Sequence, residues 1–386
     1  MSGDTPMQRK QSRNIKRRKW IFVIFLLSLL LGTLWPLTLK EATVTLKPIK
    51  NDDFSVNNVN MLGRNVVPQN ALAKDADNQL KQSHYIGTAL IVHKNKIILQ
   101  KGYGYADAKT KRLNDAATLF QIASIQKGLT ATLVMKEIES GKLSFDTKLN
   151  QFYPNIANSD KITISDLITM TSGLSQHIQP VTFESEADNI DFSADHAVVI
   201  GEPSIGYGWS YQAVNYRLLA GILMKVTHKT YTQLFDQMFD RHYHLKAVQY
   251  DAFKTSANRA IGYDDSYDKP YSDNDVAYHR ETGTGNVAMT TGNLYRYYYL
   301  MINKKMIHSP AQLWQTKPGE SYAAGMYHFP KYMTAHGILP GYEPTVILSK
   351  KGQDAVVLLS NQYYKQHTFQ PLAKKIFTQM TAIPTK

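Results

Sequence analysis

Ser124-Ile-Gln-Lys127, followed by Leu129, Leu133, Val134 and Ile138 and closed by Gly141, is the stretch that decides how this chain is read. Apolar residues at that spacing predict a helix, and the glycine supplies its stop. Serine and lysine three apart on a helix share one face, about one turn from each other. The amine then lowers the cost of deprotonating the hydroxyl, the usual way a weak alcohol becomes a nucleophile. Backbone N–H groups and the macrodipole at a helix start also favour developing negative charge. The tetrapeptide occurs a second time as Ser266-Tyr-Asp-Lys269, among Gly262, Asp264, Asp265 and Pro270. No apolar period follows that copy, and it reads as a loop without a role.

The chain is 386 residues long, enough for one large domain or a two-lobed one. Its net charge is +13, and residues 1–19 hold seven cations against Asp4 alone. Trp20 to Leu39 carries no charge over twenty residues, long enough to cross a bilayer as a helix. The flanking Lys/Arg cluster places that side in the cytoplasm. Thr33-Leu-Trp35-Pro36 is too bulky for a cleavage site, so a retained anchor is expected rather than a removed signal peptide. The reading is a cytoplasmic basic tail over 1–19, a transmembrane anchor over 20–39, an extracytoplasmic stalk over 40–79 and an enzyme domain over 80–386. No cysteine is present, which excludes disulfides and thiolate metal sites. His242 and His244 lack metal-ligand spacing with acids, so no metal and no cofactor is expected. A basic exported surface suits polyanionic polymers. Nucleic acid is excluded as a partner, since no recognition motif or dense cationic stripe follows the tail.

Thr88–Val92 and Lys96–Leu99 read as a hairpin, and Thr345–Leu348 and Ala355–Ser360 as paired strands. Helical patterns dominate from Ser124 to about Ile222, with a capped start at Ile162-Thr-Ile-Ser-Asp. A final helix covers Phe369–Met380. Strands at both ends and helices between them predict an α/β (α+β) arrangement in which the two ends share one sheet. Gln176–Gly208 is a polar insertion with five acids from Glu184 to Asp195. Tyr295, Tyr297, Tyr298 and Tyr299 lie at helical spacing, and division between core and surface is favoured over a sugar-stacking platform.

Two further stations lie downstream, Gly208-Trp-Ser-Tyr211-Gln-Ala213-Val-Asn215 and Ala335-His336-Gly337-Ile338-Leu339-Pro340-Gly341. With Ser124-x-x-Lys127, and with Lys101-Gly-Tyr-Gly-Tyr105 and Ile164-Ser-Asp-Leu-Ile-Thr-Met-Thr-Ser-Gly173 between and before them, they resemble the penicillin-binding-protein-like serine hydrolases that include class C β-lactamases. The resemblance spans roughly residues 80–380. It implies a β-lactamase/transpeptidase-like fold, a five-stranded antiparallel sheet beside an all-helical lobe. It also implies Ser124 as acylated nucleophile, Lys127 and Tyr211 as proton carriers, and the N–H groups of Ser124 and Ile338 as oxyanion hole. Ile338 is expected on the sheet's edge strand, and His336, Gly337 and Gln212 are expected against the substrate.

Departures from that pattern narrow the substrate. The relatives carry an amide where Ala213 stands, and a cation where Ala335 stands. That cation helps hold the free carboxylate of a D-Ala-D-Ala peptide or a penicillin. A carboxylate left without it in a partly desolvated site loses about 1.5–3 kcal/mol. An ester without a terminal carboxylate suits the remaining set, and similar departures occur in membrane-anchored teichoic-acid D-alanyl esterases. The expected partner is a D-alanylated teichoic or lipoteichoic acid, with a carboxylate of the acidic insertion meeting the D-alanyl ammonium. The competing readings are a D,D-carboxypeptidase or penicillin-binding protein, and a non-catalytic envelope-binding homologue.

Overall fold

Runs of β-branched and aliphatic residues near the start and end of the folded body pair with each other, and this pairing sets the frame for the site. The computed structural model describes residues 59–201, 208–363 and 368–385. The expected tail and anchor, and residues 40–58 of the expected stalk, lie outside the described residues. Seven strands form the main sheet: β1 (Gly87–His93), β2 (Lys96–Tyr103), β3 (Tyr322–Ala323), β4 (Met326–His328), β5 (Tyr332–His336), β6 (Glu343–Ser349) and β7 (Ala355–Ser360). Their order is β3-β4-β5-β6-β7-β1-β2, antiparallel throughout. The principal helices are α1 (Ala71–Gln82), α2 (Gln126–Glu139), α3 (Ile164–Thr169), α4 (Glu186–Asp195), α5 (Val214–Thr227), α6 (Thr291–Ile302) and α7 (Gln370–Thr381).

Leu90 sits opposite Val357, and Val357 opposite Val346, so the two chain ends interlock at the sheet centre. The sequence reading holds here, with two strands more than the five it implied. The extra pair, β3 and β4, is two and three residues long and too short to show an alternating pattern. One sheet face is covered by α1 and α7, where Ala76, Leu80, Ile91, Ile347, Val356 and Phe377 share a buried cluster. Each large apolar side chain so buried contributes about 1.5–3 kcal/mol. The folded body therefore reaches upstream of residue 80, because α1 belongs to this core. On α6, Tyr295, Tyr297 and Tyr298 are all buried, which makes them core residues rather than a sugar platform.

Helix α2 runs through the helical lobe, and all of Gln126–Met135 is buried. A helix buried on every side is a core element, and its polar side chains need internal partners. Thr130 Oγ1 donates to the Gly283 carbonyl at 2.7 Å and Thr132 Oγ1 to the Gly128 carbonyl at 2.9 Å. A turn from strand β3 to β4 presses on the same helix. Gly325 has φ 77°, and a Cβ there would lie 2.3 Å from Gly128 N, so no side chain fits.

Asp77 on α1 ties that helix to the sheet. Its carboxylate takes Lys81 Nζ at 2.6 Å, Lys101 Nζ at 2.9 Å and Tyr103 OH at 2.6 Å. Burial pushes this carboxyl up, but the hydrogen bonds from Lys81, Tyr103 and Lys101 outweigh it and hold it below the ordinary aspartate value. A carboxyl depressed in the folded state stabilises above its unfolded pKa of about 4, and that contribution is lost as pH falls through the folded value. Asp77→Asn is expected to lower unfolding free energy by about 1–3 kcal/mol at pH 7. Urea melts at pH 7 and below pH 4 check this, and the gap to the parent should narrow in acid.

Candidate active site

The nucleophile candidate is presented by a tight turn. Ser124 lies in a 3-10 turn, Ala123–Ile125, that runs directly into α2. Ala123 has φ 46°, a left-handed conformation that a non-glycine residue holds only where its surroundings over-determine it. Those surroundings are present. Ile122 N donates to the Val287 carbonyl at 2.8 Å, and Gln126 Nε2 to Asn286 Oδ1 at 3.0 Å. The 282–287 segment thereby clamps the turn from one side.

Lys127 is 2% exposed, and its Nζ lies 3.0 Å from Ser124 Oγ. The same Nζ donates to the Thr284 carbonyl at 3.1 Å, which fixes the amine over the serine. Behind Thr284 stands Glu281, whose Oε2 accepts the Thr284 hydroxyl and whose Oε1 meets Arg217 Nη2 at 3.0 Å. Burial pushes the Glu281 carboxyl up, but Arg217, the Thr284 hydroxyl and Lys127 hold it below the ordinary value. Arg217 is itself 2% exposed and also donates to Gln176 Oε1 at 3.0 Å and Gln179 Oε1 at 2.9 Å. One buried guanidinium thus links α5, the polar insertion and the segment that seats the lysine. The sequence reading assigned Arg217 and Glu281 no role. They lie 64 positions apart, and neither belongs to a short motif.

Tyr211 is brought to the same place. Lys127 Nζ lies 5.2 Å from its ring centroid, and the phenol is 39% exposed at the mouth of the site. Its ring stands edge-on to Tyr322 at 5.7 Å and beside Trp209 at 6.1 Å, with Tyr327 completing an aromatic wall. The short strands β3 and β4 exist to supply Tyr322 and Tyr327 to this wall. Glu320, just ahead of β3, accepts from Trp209 N through Oε1 at 3.4 Å. Gln212 does not reach outward with its amide. Oε1 accepts from Ser175 Oγ at 3.0 Å, and Nε2 donates to Ser210 Oγ at 3.2 Å. Nor does Asn215 replace the amide missing at Ala213, because its Oδ1 takes Ser172 Oγ at 2.5 Å and its Nδ2 the Gln212 carbonyl at 3.0 Å.

The sheet closes the site from the other side. Strand β4 pairs with β5 only at Thr334 and Met333, so Ala335 and His336 keep an unpaired edge although β5 is not the outermost strand. That edge faces Ser124. A Cβ on Gly337 would lie 2.8 Å from Ser124 N and 2.8 Å from Ala123 Cβ. Only glycine lets the strand end approach the nucleophile's amide this closely. Ile338, expected on the edge strand, lies two residues beyond the end of β5, after Gly337, and is 45% exposed. Among the described residues, neither Ser124 N–H nor Ile338 N–H has a backbone acceptor, as an oxyanion hole requires.

His336 does not meet the expectation of substrate contact. Successive strand residues alternate faces, and His336 shares the face of Tyr332, which lies in the α7-covered cluster. Its Nε2 pairs with buried Glu343 Oε1 at 3.0 Å, and Glu343 Oε2 accepts Phe369 N at 2.9 Å. The imidazole therefore secures the sheet to the entry of α7. Two acids of the insertion have partners: Glu186 accepts from Thr232 N and Oγ1, and Asp188 from Ser185. The second tetrapeptide is a turn, in which Asp264 N donates to the Lys269 carbonyl and Tyr267 packs on Tyr105.

Residues 72–378 match the family described as Beta-lactamase. Among curated proteins, the chain is 29% identical over 290 residues to PbpX of Bacillus subtilis (strain 168), named as a penicillin-binding protein. That match covers 74% of this chain and 72% of PbpX. Protein flp of Staphylococcus aureus (strain NCTC 8325 / PS 47) is 24% identical over 305 residues, covering 74% of this chain and 61% of flp, about three fifths of its length. The crystal structure of FmtA from Staphylococcus aureus shares the fold with a TM-score of 0.71 at 22% identity, covering 88% of this chain and 99% of that one. With most of its length in that match and a serine–lysine pair at its centre, the chain belongs to the beta-lactamase family of penicillin-binding-protein-like serine hydrolases.

Proposed function

We propose that the protein is a membrane-anchored, extracytoplasmic esterase that removes D-alanine from teichoic or lipoteichoic acid through an acyl-enzyme. The observation that carries this reading is the contrast between the two halves of the site. The serine–lysine pair is assembled at 3.0 Å, while the strand edge beside it offers no cation. Ala335 is buried on β5, and His336 is turned to the opposite face and paired with Glu343. A substrate with a free terminal carboxylate meets no positive partner on that strand, whereas a D-alanyl ester needs none.

Ser124 Oγ attacks the ester carbonyl as its proton passes to Lys127 Nζ. The tetrahedral oxyanion is received by the N–H groups of Ser124 and Ile338. Collapse breaks the bond to the polyol oxygen, which leaves with a proton delivered through Tyr211. Water then attacks the D-alanyl-serine ester, D-alanine departs, and Ser124 recovers its proton. Throughout both steps the substrate keeps its α-ammonium. Glu320, held at Trp209 on the aromatic wall beside Tyr211, is the carboxylate we assign to it; Glu186 and Asp188 of the insertion are engaged by Thr232 and Ser185.

The test is release of free D-alanine from purified lipoteichoic acid by the full chain, lost in Ser124→Ala. Strong labelling of Ser124 by a fluorescent penicillin would instead favour a peptidase. Tyr211→Phe should retain the fold and lose about 10²–10⁴-fold in kcat, measured on a soluble D-alanyl ester. Gly337→Ala should lose about 10²–10³-fold in kcat, because its methyl displaces the strand end from Ser124 N. Glu320→Gln should raise KM for a D-alanyl ester about tenfold and leave KM for the matching propionyl ester unchanged, a loss typical of one charge-assisted contact.

A further inference from the structure

On the helical lobe lies a groove of about 550 Å³ between the C-terminal half of α2, the end of α5 and a short π-helix, Asp236–His242. Its rim carries Lys136, Lys142, Lys229, Arg241 and His242, against Glu137 as the one acid among its lining residues. Lys142 is paired with Glu137 at 3.0 Å, whereas Lys229 and Arg241 are exposed and have no ion pair among the described residues. Leu133 and Leu234 form an apolar floor below them. π-Helical turns are rare and recur at functional sites, because the extra residue redirects side chains. Here the wide turn places Gln237 and Arg241 on one wall, with Gln237 Oε1 accepting Lys229 Nζ at 2.7 Å.

We infer that this groove is a second binding site, for a phosphodiester polyanion chain. Cations lining a concave, low-dielectric trough concentrate negative charge more strongly than scattered surface lysines do. A trough suits a linear chain with regularly spaced phosphates better than a flat anionic surface. Helix α2 links the groove to the catalytic site. Lys136 lies nine residues beyond Lys127, about 14 Å along the helix axis at 1.5 Å per residue. One polymer of several repeats then has two contacts with the enzyme, and the groove raises the local concentration of ester at Ser124. The identity of the polymer rests on the proposed function; the polyanion site does not.

The experiment uses the full chain in detergent micelles and a fluorescent, D-alanine-free poly(glycerol phosphate), read by anisotropy. The double variant Lys229→Glu/Arg241→Glu should weaken binding about tenfold or more and flatten its dependence on salt between about 0.05 and 0.5 M. The double variant Lys109→Glu/Lys375→Glu, with the same charge change elsewhere, should bind within about twofold of the parent. Lys229→Gln/Arg241→Gln, checked by thermal melting, gives a milder second pair and should weaken binding in the same direction. Inorganic phosphate at equal phosphate concentration should displace the chain poorly. On lipoteichoic acid the groove variants should raise KM with kcat unchanged, and turnover of a small D-alanyl ester should not move.

Polymer binding that is unaltered in both groove variants overturns the inference. So does equal loss in the control variant, full displacement by inorganic phosphate, or groove-dependent binding to phosphatidylglycerol mixed micelles without binding to the polymer. If groove-dependent binding appears while no D-alanine is released, the esterase reading falls and the polyanion site stands. Release of D-alanine with no groove dependence gives the converse.

Discussion

A lysine with 2% of its surface exposed sits 3.0 Å from a serine hydroxyl, and most of the local architecture serves to keep it there. A long aliphatic side chain has many rotamers, and confining it is entropically costly. The Thr284 carbonyl fixes the amine at 3.1 Å, the aromatic ring of Tyr211 covers it, and α2 is buried on all sides around its base. Thr284 is anchored in turn by Glu281, and Glu281 by Arg217. Removing any one of these leaves a buried polar group unsatisfied, so the network is held together more tightly than its separate bonds imply.

The turn before α2 carries the opposite kind of constraint. Ala123 is held at φ 46°, a conformation costing about 1–3 kcal/mol, so that Ser124 N–H points into the site. Packing from the 282–287 segment and from Gly337 maintains it. The sheet contributes through a missing side chain. Gly337 lets the strand end approach Ser124 N so closely that any Cβ would collide with it. The nucleophile and its amine come from one chain segment and the second oxyanion donor from another, brought together with the 282–287 segment by the closure of the two chain ends into one sheet.

Much of this was legible in the sequence, and the reasons differ by element. The Ser124–Lys127 relation is local, so helical periodicity reveals it directly. Strands β1, β2, β6 and β7 are long and β-branched and read clearly. Strands β3 and β4 are two and three residues of aromatic sequence and have no readable period. His336 was assigned to the substrate by its motif position, yet strand alternation and the distant Glu343 turn it toward α7. Glu343 reads in sequence only as an acid before a proline. Arg217, Glu281 and the groove on the helical lobe are products of tertiary folding, since their members are scattered along the chain and meet only in three dimensions.

The central claim is that Ser124 carries the acyl group of a D-alanyl ester. The most direct measurement is mass spectrometry of the parent protein acid-quenched during turnover of D-alanylated lipoteichoic acid, because the quench traps the acyl-enzyme before water attacks it. The account predicts a D-alanyl adduct on the peptide that contains Ser124 and none in a Ser124→Ala control. Loss of D-alanine from the polymer with the Ser124 peptide always unmodified would contradict it.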